Sequence, residues 1–152
     1  MSQQIDDLDV KVINILLQNA NTPYSEIAKA LEVSIGTIHV RIKKLEALQV
    51  IRYFSLEIDH TKLGYDLTAY LGVTLEKGVV YRDVIAALES VHEVTEAHYI
   101  TGRYGLFLKI CCKNTTHLRQ LLNETIQMIP GVQSTETMIS LEERIKRPLH
   151  IE

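Results

Sequence analysis

The sequence predicts an α+β fold, with an N-terminal three-helix winged helix-turn-helix unit followed by a ferredoxin-like βαββαβ unit. Two observations carry this prediction. Apolar residues recur at helical spacing in three short runs before residue 50, with turn residues between them. Beyond residue 66 the pattern strand, helix, strand, strand, helix, strand forms two halves of similar length. A length of 152 residues accommodates two small domains. The change of pattern near Leu63 and Gly64 places them at 1–62 and 63–152.

Asp6, Asp7 and Asp9 open the first helix, where acids complement the helix dipole. Its apolar positions are Leu8, Val12, Ile15 and Leu16, an i, i+4, i+7, i+8 series. Asn19, Asn21 and Pro23 favour turns and stop it. A second helix runs from about Ser25, which is expected to cap it, with Ile27, Ala28 and Leu31 on its apolar face. After Glu32 and Val33, Ser34 is placed to cap a third helix over residues 35–48. Residues 50–59 are β-branched and aromatic and read as a strand. The stretch 50–62 joins the units and is the expected hinge.

The second unit is expected to contain strands at 67–76, 94–101, 105–113 and 132–141, with helices at 81–91 and 115–128. In the first strand Ala69, Leu71, Val73 and Leu75 face one way, and Thr68, Tyr70 and Thr74 the other. The helices carry apolar stripes, Tyr81, Val84, Ile85, Leu88 and Val91 in one, Leu118, Leu121, Leu122, Ile126 and Ile129 in the other. Two helices cover one face of the sheet. The other face remains apolar enough to need a partner, so dimerisation is expected.

Composition narrows the function classes. The chain is 46% hydrophobic and 23% charged, and no apolar run approaches the roughly 18 residues of a membrane span. The start has no basic segment followed by an apolar one, so no signal peptide is expected. Cys111 and Cys112 are adjacent on a strand and point to opposite faces, which suits reduced cysteines in the cytoplasm. His39, His60, His92, His98, His117 and His150 lack metal-ligand spacing, and no metal or cofactor is expected. Neither a nucleophile–base set nor a Gly-rich phosphate loop stands out, which argues against an enzyme.

The net charge of −3 says little, because screening limits each charge to about 10 Å at roughly 0.1 M salt. Local placement decides. At about 100° per residue, Ile38, Ile42 and Leu45 form the inward stripe of the third helix. Gly36, Val40, Lys43 and Ala47 project outward, flanked by Thr37, Arg41 and Lys44 on one side and His39 on the other. Small residues permit close approach to a major groove, and basic side chains reach phosphates or guanine edges. Ser34 and the free N–H groups at the helix start suit a phosphate. Double-stranded DNA is the expected partner, with Ser34, Gly36, Thr37, His39, Val40, Arg41, Lys43 and Lys44 as its contacts.

These residues resemble the Lrp/AsnC family of feast/famine regulators, and within it the AsnC branch. The resemblance rests on Asp6–Asp9, Asn19–Ala28, Val33–Arg41, Leu63–Asp66, Val94–Ala97, Thr101–Tyr104 and Gln133–Thr137, in the family's order. It implies a transcription regulator that forms dimers through facing sheets, often assembled into octamers, with a small effector bound between dimers. By the same resemblance Thr101, Gly102, Arg103, Tyr104 and Gly105 line one side of the effector site. Gln133, Ser134, Thr135, Glu136 and Thr137 line the other. An amino acid suits this set, with its carboxylate on backbone N–H groups at Gly102 and its ammonium on Glu136. The AsnC-like blocks point to asparagine.

Two positions depart from the family pattern. Glu32 stands where the turn of the helix-turn-helix usually has Gly, and Gly105 where many members have Asp. The competing reading is an architectural DNA-binding protein without a specific effector, whose footprints would spread with little sequence preference.

Overall fold

Why the helices begin and end where they do is visible in their caps. The computed structural model describes residues 5–152. The first four residues, part of the start read as carrying no signal peptide, lie outside them. Helix α1 spans Asp7–Gln18, and Asp6 caps it in a reciprocal box with Asp9. Helix α2 spans Tyr24–Ala30. Its N-cap is Pro23, so Ser25 does not cap it as expected. Ser25 already lies inside the first turn, where proline's fixed φ has started the helix one residue earlier. Helix α3 spans Ile35–Ala47, capped by Ser34 as expected, with the hydroxyl accepting from the Thr37 N–H at 3.0 Å.

The chain divides into two compact units, one running up to Glu57 and including Ile145–Glu152, the other Ile58–Arg144. The division falls before residue 62, and the C-terminal segment groups with the first unit. Its attachments explain why. The Asn14 side chain bonds both backbone groups of Ile151, at 2.8 and 3.1 Å, and Lys146 pairs with Glu57 at 2.9 Å. In the first unit Val12, Leu16, Ile27, Ala28, Ile38 and Ile42 form the core.

Residues 50–59 carry no strand, the chain bending at Val50 and Ile51, and no wing hairpin follows α3 among the described residues. Strand propensity measures fit to a pleated, half-buried surface. Within one chain this segment meets no ladder partner, and Tyr53, Phe54 and Leu56 are exposed.

The second unit is the expected βαββαβ array. Strands β1 (Leu67–Leu75), β2 (Val94–Tyr99), β3 (Leu106–Cys112) and β4 (Val132–Ile139) form an antiparallel sheet in the order β2-β3-β1-β4. Helices α4 (Tyr81–Leu88) and α5 (Thr115–Glu124) are shorter than expected. The run to Met128 ends in a 3₁₀ turn at Ile126–Met128. Alternation places Ala69, Leu71, Val73, Leu106, Leu108, Ile110 and Cys112 in one core with Val84, Leu88, Leu118 and Leu121.

The opposite face carries Tyr70 stacked on Phe107, ring centroids 5.9 Å apart. Cys111 and Cys112 do point to opposite sides, and both are buried thiols. Burial pushes the Cys112 thiol up to about 11.

Candidate functional site

The DNA-facing candidates sit on α3. Behind it lies the turn of the helix-turn-helix, where Glu32 takes φ 55, the left-handed conformation that favours glycine. Val33 N–H bonds the Ala28 carbonyl at 3.0 Å and closes the turn. Ile38, Ile42 and Leu45 are buried, so the roll of α3 matches the periodicity. The outward face is open: Gly36, Lys43 and Ala47 are exposed, and Val40 is 66% exposed. His39 is exposed too, with its ring 6.1 Å from that of Tyr24. Thr37 is half-buried, its hydroxyl 2.8 Å from that of Ser34.

Arg41 and Lys44 are placed differently from the rest. Both turn along the flank of α3 toward the start of α1. Lys44 Nζ lies 2.6 Å from Asp9 Oδ2, and Arg41 lies 3.3 Å from Asp9 Oδ1 while also bonding Asp6. Asp9 is wholly buried. The Asp6 carboxyl is held below its ordinary 3.8, first by the Asp9 backbone N–H it accepts and then by Arg41. Lys43 instead pairs with Glu46 at 3.1 Å on the exposed surface. The sequence reading of the outward face overlooked Asp9. A signal was there: Asp9 keeps step with Val12, Ile13 and Leu16, the residues that α1 buries.

The effector candidates sit in the second unit, where three of them meet. The Tyr104 hydroxyl donates to Glu136 Oε2 at 2.7 Å, and Arg103 reaches the same oxygen at 3.0 Å. Arg103 also lies over the Tyr104 ring, 5.5 Å from its centroid. The hydrogen bond to Glu136, then desolvation, raises the Tyr104 phenol above its ordinary 10.0. Glu136 is paired across the sheet with Gly72. A Cβ on Gly72 would stand 2.7 Å from the Tyr104 ring, so this glycine makes room for the ring against β1. Gly72 was absent from the residues expected at the site, because nothing in its local pattern marks a contact with residue 104.

The other expected members are spread out. Thr101 and Gly102 are exposed in the β2–β3 turn, with Gly102 at φ 114. Gly105 is tied into the sheet, its N–H bonding the Val73 carbonyl at 2.9 Å. A Cβ there would lie 2.9 Å from Leu75 Cδ1, so an acid at this position needs Leu75 to move. On β4 the pleat splits the set. Ser134 and Glu136 pair with Thr74 and Gly72 on the face away from the helices. Thr135 and Thr137 pair with Val73 and Leu71 on the helix side, where Gln127 holds the Thr135 hydroxyl at 2.8 Å. Gln133 is exposed at the register shift beside Thr74 and Leu75. No group of His, Cys, Asp and Glu that could hold a metal occurs among the described residues. No helix among them is long and apolar enough to cross a membrane.

Comparison with known proteins gives this geometry its context. Residues 5–46 match the AsnC-type helix-turn-helix domain, and residues 68–149 the Lrp/AsnC ligand binding domain. The chain is 43% identical to the regulatory protein AsnC of Haemophilus influenzae over 145 residues, 95% of this chain and 97% of that one. The solved structure of Escherichia coli AsnC superposes with a TM-score of 0.90 at 39% identity, covering 97% of this chain and 99% of that one. A feast or famine regulatory protein from M. tuberculosis, solved with L-methionine, shares the fold with a TM-score of 0.90 at 24% identity, over 97% of this chain and 99% of that one. The chain therefore belongs to the Lrp/AsnC family of helix-turn-helix transcriptional regulators.

Proposed function

We propose that this regulator reads double-stranded DNA with the outward face of α3, and that an amino acid at the Arg103–Tyr104–Glu136 cluster adjusts that binding. The carrying observation is the exposed row Gly36, Val40 and Lys43 on a helix whose buried side is fixed by a capped helix-turn-helix. Small side chains admit the helix to the major groove, Val40 suits a thymine methyl, and Lys43 can leave Glu46 for a phosphate. Ser34 and Thr37 at the helix start, with His39 on the flank, complete the contacting set.

An amino acid suits the second unit because its charges complement the cluster. Its carboxylate can take Arg103 and the Gly102 N–H, and its ammonium can take Glu136 in exchange for Arg103. Asparagine is the first candidate, supported by likeness to AsnC proteins. The aromatic helix-free face, with Tyr70 and Phe107, supports a homodimer through facing sheets and assembly to an octamer. In this reading the protein acts in the cytoplasm on its own chromosome and catalyses no reaction. An effector that favours one assembly over another by about 1–3 kcal/mol changes DNA affinity roughly 5–150-fold.

The test is retardation of chromosomal fragments at low ionic strength. Lys43→Ala is expected to weaken binding on every sequence and to lower the salt slope by about one. Failure of the wild-type protein to retard any fragment overturns the DNA reading. Calorimetry with each standard amino acid tests the effector separately.

A further inference from the structure

Arg41 and Lys44 sit one helical turn apart on α3, and both close on a single buried carboxylate of α1, 32 to 35 residues earlier in the chain. Asp9 has no exposed surface, and its oxygens also accept the Asp6 N–H at 3.1 Å. A carboxylate removed from water is tolerated only when partners satisfy it, so these bonds are obligatory in the folded unit. Apart from the pair that Arg41 also makes with the capping residue Asp6, the remaining packing of α1 on α3 is apolar, through Val12, Leu16, Ile38 and Ile42. Apolar contacts hold helices together without direction. Charge-assisted hydrogen bonds have direction, and two of them one turn apart fix how a helix is rolled about its axis.

We propose that Asp9 is a positioning residue for the DNA-reading helix. In this assignment Asp9 clamps Arg41 and Lys44 so that Gly36, Val40 and Lys43 face the groove, and the two clamped cations contact no phosphate. The proposal rests on α3 being the DNA reader. It divides the basic residues of α3 by role: Lys43 contributes to affinity, whereas Arg41 and Lys44 set the angle of presentation.

The sign of one substitution separates the alternatives. Asp9→Asn keeps the size of the side chain and an acceptor for the Asp6 N–H but removes the charge. The probe is a duplex selected from chromosomal DNA by the wild-type protein, with a scrambled duplex as reference. At a temperature where circular dichroism shows the variant folded, the preference for the selected duplex is expected to fall about tenfold, the scale of one misdirected base contact. The slope of log affinity against log salt is expected to stay at the wild-type value. Tighter binding with a steeper slope would identify Arg41 and Lys44 as phosphate contacts restrained by Asp9, and would overturn the proposal. An unchanged preference would overturn it as well, leaving Asp9 a purely structural role.

Should Asp9→Asn not fold, Lys44→Met gives the second reading, since Asp9 keeps Arg41. Lost preference at unchanged slope supports positioning, and a slope lower by about one refutes it. Wild-type protein and Lys43→Ala run alongside report on the DNA reading itself, so its failure is distinguishable from failure of the clamp.

Discussion

Asp9 in the first unit and Glu136 in the second each take an arginine and one further side-chain donor, and there the similarity ends. Asp9 is wholly buried and holds Lys44 at 2.6 Å and Arg41 at 3.3 Å. Glu136 keeps 46% of its side chain exposed while holding Tyr104 at 2.7 Å, and its Arg103 partner is 76% exposed. A buried carboxylate cannot exchange partners for water, so its bonds belong to the scaffold. An exposed one exchanges at little cost, since surface ion pairs contribute about 0–1 kcal/mol. Similar side chains therefore form a fixed junction in one place and an exchangeable pair in the other, and burial makes the difference.

The largest effect is expected where the clamp is broken outright. Asp9→Ala removes the charge shared by Arg41 and Lys44 and the acceptor of the Asp6 N–H. A loss of about 3 kcal/mol is expected, at the lower end for buried pairs because both cations are part-exposed. Urea denaturation followed by circular dichroism measures it, and a loss below about 1 kcal/mol would place Asp9 with the surface pairs. Next in size is Gly72→Val, which attacks the other cluster through shape. The new side chain enters the Tyr104 ring, displacing it from Glu136, and overpacking of this kind costs about 2 kcal/mol. Loss of amino-acid binding with the fold retained is the expected calorimetric result.

The two clusters also differ in how visible they were in the sequence. Strand alternation and helix stripes gave most of the second unit, because β1, β3, α4 and α5 bury apolar residues at the period of their element. Ser34 was legible as a cap because capping is local. Arg41 and Lys44 were placed correctly on a flank of α3, but their acceptors lie more than thirty residues away, and no local pattern links them. Residues 50–59 misled for a related reason: propensity registers a strand's side chains but not the neighbour that would complete its ladder. At the proposed effector patch, the Thr101–Tyr104 and Gln133–Thr137 blocks came from resemblance. Only the pleat revealed that Thr135 and Thr137 point away from Glu136.

A smaller change sharpens the comparison by altering the first unit without touching the clamp. Glu32 sits at φ 55, a conformation costing a non-glycine residue about 1 kcal/mol. Glu32→Gly is expected to stabilise the unit by up to about 1 kcal/mol, with DNA preference unchanged, in the same urea experiment. Destabilisation would mean that the added freedom of the unfolded chain outweighs the relieved strain.

Acid and alkali are expected to open the clusters from opposite ends of the pH scale. The Asp6 carboxyl is lowered in the folded state, so its contribution is complete above pH 3.8 and disappears as pH falls through the lowered value. The Tyr104 phenol is raised, so its contribution is complete below pH 10.0 and disappears as pH rises through the raised value. Asp6→Asn should therefore flatten the acid limb of the stability profile and leave the alkaline limb alone. Tyr104→Phe should remove one phenol from the alkaline end of the ultraviolet tyrosinate curve and leave the acid limb alone. Crossed effects would contradict the separation of the two clusters.

The smallest expected effect on stability is at Glu136 itself, and its size is the informative part. Glu136→Gln retains an acceptor for the Tyr104 hydroxyl and loses only the charge facing Arg103, so a change under about 0.5 kcal/mol is expected. Binding should respond quite differently, because an ammonium that exchanges with Arg103 needs the full carboxylate charge. A charge-assisted hydrogen bond is worth about 1.5–3 kcal/mol, so amino-acid affinity should fall at least about tenfold. Equal loss of stability and affinity would mean that Glu136 is scaffold like Asp9. Affinity lost with stability kept is what an exchangeable acid requires.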